Sequence, residues 1–137
     1  MDVNVDENLK LLVEVLGKQM PFGQSLGLTP DSFDTENDCI RFPWRDTLIG
    51  HPICKLLHGG AISSILDIQG SFMVLLEQIR SSNFKASGKG GTIDLRVDYL
   101  LPGKGRHFVT SGNILRMWEN SPLPGWHYTM INTNLSQ

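Results

Sequence analysis

The sequence has no marked excess of either charge, almost no cysteine, and no uninterrupted apolar run of membrane-spanning length. Twelve Lys and Arg stand against 14 Asp and Glu, a formal net charge of -2. Nucleic-acid binders concentrate cations on one face, so a DNA or RNA role is disfavoured. Two cysteines, Cys39 and Cys54, imply no disulfide framework and read as reduced thiols. The first residues, Met1–Glu7, are acidic and lack the basic flank and apolar centre of a secretion signal. The longest apolar stretch is broken by Asp67, Gln69 and several serines, short of the ~20 apolar residues that span a bilayer. A cytoplasmic protein without a membrane span is expected. No nucleophile elbow, phosphate loop or dinucleotide glycine pattern occurs, and Gly88-Lys89-Gly90-Gly91 lacks the flanking strand and helix of such motifs. There is no internal repeat or low-complexity segment. A chain of 137 residues, 40% hydrophobic, is one domain spanning 1–137 with room for one real core.

What is present is helical period first. Leu9, Leu12, Val13 and Leu16 predict a helix over Asn8–Leu16, with Gly17 as a left-handed stop. Met20–Gly23 reads as one short turn of helix. Leu26–Thr35 and Asp38–Trp44 read as strands of a hairpin joined at Glu36-Asn37-Asp38. A loop over Arg45–Leu56 leads into Leu57-His58-Gly59-Gly60 and then a helix of about twenty residues, ~30 Å long, the structural centre. Ser81–Gly91 is a polar, glycine-rich surface loop. Thr92–Leu100 alternates strictly, with Ile93, Leu95, Val97 and Tyr99 on one face, predicting a strand paired antiparallel with a further strand over His107–Met117. Residues 121–137, with Pro122 and Pro124, form an atypical tail in which Tyr128, Met130 and Ile131 can supply a short edge strand.

The chemistry gathers on the long helix. A Gly59-Gly60 pair at a helix start leaves backbone N–H groups without side chains in the way, and the helix dipole puts partial positive charge there, suited to polarising a carbonyl. Asp67 follows two turns on among Ile65, Leu66, Ile68, Phe72 and Met73. A partly desolvated carboxylate there can serve as general base or nucleophile. Ser63 or Ser64, Asp67, Gly70 and Ser71 make one polar stripe, which either faces a cleft or satisfies local backbone groups. His58 either fixes the turn by a hydrogen bond or takes part in proton transfer. His51, Cys54 and His58 have a spacing reminiscent of zinc, but no fourth ligand is evident and no metal is expected.

These residues resemble the hotdog-fold acyl-CoA thioesterases of the phenylacetate-degradation type, over roughly Met20–Asn120. The resemblance rests on Leu57-His58-Gly59-Gly60-Ala61 with Asp67, on Thr92–Pro102, and on Ser111-Gly112-Asn113-Ile114-Leu115-Arg116. It implies an α+β hotdog fold, a curved antiparallel sheet around a long central helix, in subunits that pair as homodimers or homotetramers with sites at the interface. It further implies hydrolysis of an acyl-CoA thioester without metal or redox cofactor: Gly59 N–H on the carbonyl, Asp67 from across the dimer on water or the carbonyl carbon, Thr92 orienting the water, and His58 and Gly60 beside them. His51-Pro52 stands where the family usually has Asn or a similar polar residue. Ser71, Lys85, Lys89 and Arg106 are candidates for substrate contacts, the cations for coenzyme A phosphates, with solvated surface charge as their alternative. The family continues after Asn120 with two long strands whose pattern is missing here, as a change of reading frame near Ser121 would produce. An acyl-CoA-binding protein of the same fold, catalytically impaired, is the alternative function; hydratase chemistry lacks its His and acidic pairing.

Overall fold

A computed structural model describes residues 4–81, 90–118 and 128–136. Helix α1, Val5–Lys18, starts where the Asn4 side chain accepts the Glu7 N–H, with Asp6 and Glu7 in the first turn and Lys18 in the last, all favourable to the helix dipole. Gly17 does not stop it. It is buried and helical, and a Cβ there would lie 2.2 Å from Pro30 N and 2.5 Å from Pro30 Cα. The glycine lets the next segment cross against the helix. Gly17→Ala, which on an exposed helix would stabilise by about 1 kcal/mol, is therefore expected to destabilise by about 1–3 kcal/mol through overpacking. Urea unfolding of the two proteins checks this, and an unchanged or raised midpoint would refute it.

Helix α2, Pro21–Ser25, follows, then a single 3-10 turn at Pro30–Ser32 where a strand is expected. Only Phe33–Asp34 (β1) remains of that strand; it pairs antiparallel with β2, Cys39–Pro43. Thr29-Pro30 explains the shortening, since Pro30 opens the turn and the Thr29 and Ser32 side chains cap it reciprocally. In the hairpin the Asn37 side-chain amide and the backbone N–H groups of Asn37 and Glu36 hold the Asp34 carboxyl down at about 2. The expected loop at Arg45–Leu56 contains a small hairpin, β3 (Ile49–His51) with β4 (Leu56–Leu57). The central helix α3 runs Gly59–Arg80. It is long and apolar enough to cross a membrane, but it packs on the sheet as the core helix, burying Ile62, Ile65, Ile68, Phe72, Leu76 and Ile79.

The main sheet is antiparallel in the order β1-β2-β5-β6, with β5 at His107–Trp118 and β6 at Tyr128–Ser136. Phe42 of β2 stands opposite Phe108 of β5, and their rings stack at 5.3 Å. Phe33 meets Phe72 of α3 edge to face at 5.3 Å. The pairing of β5 with β6 from Val109↔Ser136 to Trp118↔Tyr128 makes the tail a full strand rather than a fragment, even though its sequence lacks a period. Backbone bonds to a long neighbour supply what alternation does not.

The expected strand Thr92–Leu100 does not form a ladder. β5 has β2 on one side and β6 on the other, so no edge is left for it, and among the described residues no backbone hydrogen bond engages 92–100. The segment runs beside α3 instead, in the opposite direction: Thr92 touches Asp67 and Tyr99 touches Gly59. Val97 is half-buried against the core, while the segment's other apolar residues stay open, Ile93 at 68% exposure and Leu100 at 86%. Lys85 and Lys89 lie outside the described residues.

Candidate active site

The start of α3 is held from three sides. His58 N–H donates to Leu48 O at 2.8 Å, Leu57 N–H to Gly103 O at 2.9 Å, and the His58 carbonyl accepts from Ala61 and Ile62. β3 passes so close that a Cβ at Gly50 would lie 2.6 Å from His58 Cα. His58 is the N-cap: its exposed ring accepts the Gly60 N–H on Nδ1 at 2.8 Å. That bond gives His58 the turn-fixing role and occupies the Gly60 N–H. The Gly59 N–H is left with no partner among the described residues. The Gly59 carbonyl accepts the Tyr99 hydroxyl at 2.8 Å, so Tyr99 lies over the helix start.

Two turns further along, Asp67 is half-buried at the margin of the core. Thr92 Oγ1 donates to Asp67 Oδ1 at 2.5 Å. These two expected site residues are brought together within one chain. Phe72 is fully buried against Phe33, so it belongs to the core rather than to a cleft. Ser63 and Ser64 donate to the Gly60 carbonyl, at 3.1 and 2.6 Å, which is the local-backbone reading of that part of the polar stripe. Ser71 is exposed one turn beyond Asp67.

The remaining candidates are dispersed. His51 is exposed at the hairpin tip and accepts the Cys54 N–H on Nδ1 at 3.2 Å. Both Nδ1 atoms of the contemplated zinc trio are thus engaged by backbone. Cys39 is buried and Cys54 exposed, both free thiols. Arg106 has an exposed side chain while its carbonyl accepts the Trp44 N–H at 2.8 Å, fixing the loop before β5. Sequence reasoning missed the Tyr99 bond, which has no local signature. It also missed Gln69, a fully buried polar residue at helical spacing from Ile62, Ile65, Phe72 and Leu76.

Known proteins resemble this arrangement in sequence and shape. The chain is 33% identical over 121 residues to the medium/long-chain acyl-CoA thioesterase YigI of Escherichia coli K12, an alignment covering 83% of this chain and 78% of that protein. The YigI protein of Salmonella typhimurium LT2 is similar to the same extent, 33% identical with the same coverage. A solved structure from Shewanella oneidensis, related to the thioesterase superfamily, superposes with a TM-score of 0.76 at 26% identity, covering 99% of this chain and 89% of that one. A second thioesterase-superfamily structure, 17% identical, has a TM-score of 0.70, covers 93% of this chain and 85% of its own, and supports the fold. No protein-family model matches the chain.

Proposed function

This chain belongs to the hotdog-fold acyl-CoA thioesterases, and from that premise we propose that two copies pair so that Gly59 of one and Asp67 of the other flank each thioester. The chain is an acyl-CoA thioesterase, hydrolysing the thioester to a carboxylic acid and free coenzyme A. The observation that carries the pairing is spacing. The unpartnered Gly59 N–H and the Thr92-bound Asp67 are eight residues apart on one rigid helix, about 12 Å along its axis. The carbonyl oxygen needs its N–H within about 3 Å, and the attacking water beside the carbon needs its base within hydrogen-bond reach, so one helix does not bring both to the same carbonyl. Two such helices side by side in opposite directions would. The open apolar residues of 92–101, including Ile93, Leu95, Tyr99 and Leu101, and the unbonded backbone beside them support a second copy there.

In this arrangement the Gly59 N–H and the positive end of α3 take the charge that develops on the carbonyl oxygen. Thr92 holds one Asp67 oxygen and leaves the other for water. Asp67 accepts the water proton as the oxygen attacks, the carbon–sulfur bond breaks, and the proton passes to the departing thiolate; direct attack by Asp67 is the covalent variant. The atoms balance with water alone, so no metal or redox cofactor is invoked. His58 positions Gly60, Ser71 lies one turn beyond Asp67 on the same helix, and His51 at the hairpin tip would contact the bound substrate. Arg106, with Lys85 and Lys89, would meet the coenzyme A phosphates, and a cytoplasmic location would put the enzyme with its substrate. The names of the YigI relatives favour medium and long acyl chains.

A thiol-release screen over short, medium, long and aromatic acyl-CoAs tests this. We expect kcat/KM for medium or long chains to exceed that for short and aromatic ones by about tenfold or more, as a few buried methylenes allow, and a particle of at least twice the chain mass. An active monomer would end the pairing. Tight binding of acyl-CoA without thiol release would make the chain a binding member of the fold.

A further inference from the structure

We propose that Gln69 is a positioning residue for the hydrolysis, setting the rotation of α3 at which Asp67 faces the cleft; the inference rests on the reading of Asp67 as the reacting acid. Gln69 is at 0% exposure in the middle of an apolar helix face. Its Nε2 donates to the Asp38 carbonyl at 2.8 Å, and its Oε1 accepts the hydroxyl of Thr110, also at 0% exposure, at 2.8 Å. Thr110 sits on β5 opposite Ile40 of β2. One amide therefore ties the helix to both the β1–β2 turn and the middle of the sheet.

A second tie lands on the same turn. The Arg80 guanidinium donates to both Asp38 carboxylate oxygens, at 2.8 and 2.7 Å, and to the Thr35 carbonyl at 2.6 Å. Asp38 is itself in the left-handed region, φ 54, so this turn has one defined shape to offer. Gln69 and Arg80 are eleven residues apart, about three full turns, and lie on one face of the helix. Asp67 is two residues from Gln69, about 200° around the axis. Pinning Gln69 into the sheet thus turns Asp67 away from it, toward Thr92 and the cleft.

Apolar contacts alone would not do this. Ile62, Ile65, Ile68, Phe72 and Leu76 bury area without direction, and a shift of one residue along such a stripe moves the next side chain by about 100° and 1.5 Å. A buried amide with two fixed partners penalises every such alternative, because each leaves polar groups unpaired.

Gln69→Met keeps the length and volume and removes both bonds. We expect kcat to fall about 10- to 100-fold with KM within about threefold, at a temperature where circular dichroism reports a folded protein. Combined with Asp67→Asn, it should cost no more than Asp67→Asn alone, since only the placement of Asp67 is lost. A kcat within twofold of the parent, or losses that multiply in the double variant, would overturn the proposal. Thr110→Val, which deletes a single hydroxyl, is read by the same criteria if Gln69→Met does not fold. Full turnover in Asp67→Asn would remove the acid itself from the mechanism, whereas an inactive Asp67→Asn beside a fully active Gln69→Met removes only the positioning role.

Discussion

Asp67→Asn is expected to lower kcat by about a thousandfold while leaving the thermal midpoint nearly unchanged. The amide keeps the shape and can still accept the Thr92 hydroxyl, which donates to Oδ1 in the parent, so the half-buried site stays satisfied. What disappears is the ability to take a proton from water or to attack carbon, and a positioned base is worth about 10²–10⁴ in rate. KM should move little, because the residues proposed to meet coenzyme A are cations elsewhere and not this carboxylate. Thiol release under saturating acyl-CoA gives the answer directly. Turnover within tenfold of the parent would show that another group activates the water.

The second large effect is aimed at a single hydrogen atom. Gly59 is the first residue of α3, and the preceding His58 has φ -64 and ψ 132. Proline is well suited to a first helical position, and the residue before it must be extended, as His58 already is. A Cβ at residue 59 would meet the Tyr99 ring at 3.4 Å, an ordinary contact. Gly59→Pro should therefore keep the helix and delete the N–H proposed to face the carbonyl oxygen, costing about 10²–10³ in kcat. An unaltered kcat would assign the oxyanion to another donor. The two variants together test the shared site. After mixing and exchange of subunits, half of the particles carry one Asp67→Asn chain and one Gly59→Pro chain, and one of their two sites is intact, so about a quarter of parental activity should return. Failure of two folded, exchanging variants to complement would mean that each chain builds its site alone.

How much of this could be read beforehand varied with the physics behind each element. The central helix was legible because its apolar period is long and His58-Gly59-Gly60 marks its start; the observed Gly59–Arg80 is within a turn of expectation. The alternation of Thr92–Leu100 is real, but alternation records which sides a chain offers, not whether a neighbour exists to bond its backbone. Within one chain β5 is already paired on both edges. The tail failed in the opposite way: Tyr128–Ser136 has no readable period, yet nine residues of β6 pair along β5. Gly17 misleads because its close approach to Pro30 depends on the path of the chain after α2, which no local pattern encodes. Gly59 and Asp67 stood out as candidates by type and spacing, and Thr92 only through the family resemblance. The bonds that engage them directly span 25 and 40 positions, Thr92 to Asp67 and Tyr99 to Gly59, and those that tie their helix to the β1–β2 turn span 31 and 42, Gln69 to Asp38 and Arg80 to Asp38; separations of that kind leave no mark on periodicity.

Gly59 and Asp67 share one unbroken helix, and this limits how the gene can change. A single inserted residue between them would swing Asp67 by about 100°, which in the proposed pair spoils both centres in one stroke. Indels in that short interval should be absent from working descendants. Loops remote from the rod remain free to lengthen as new acyl groups are accommodated.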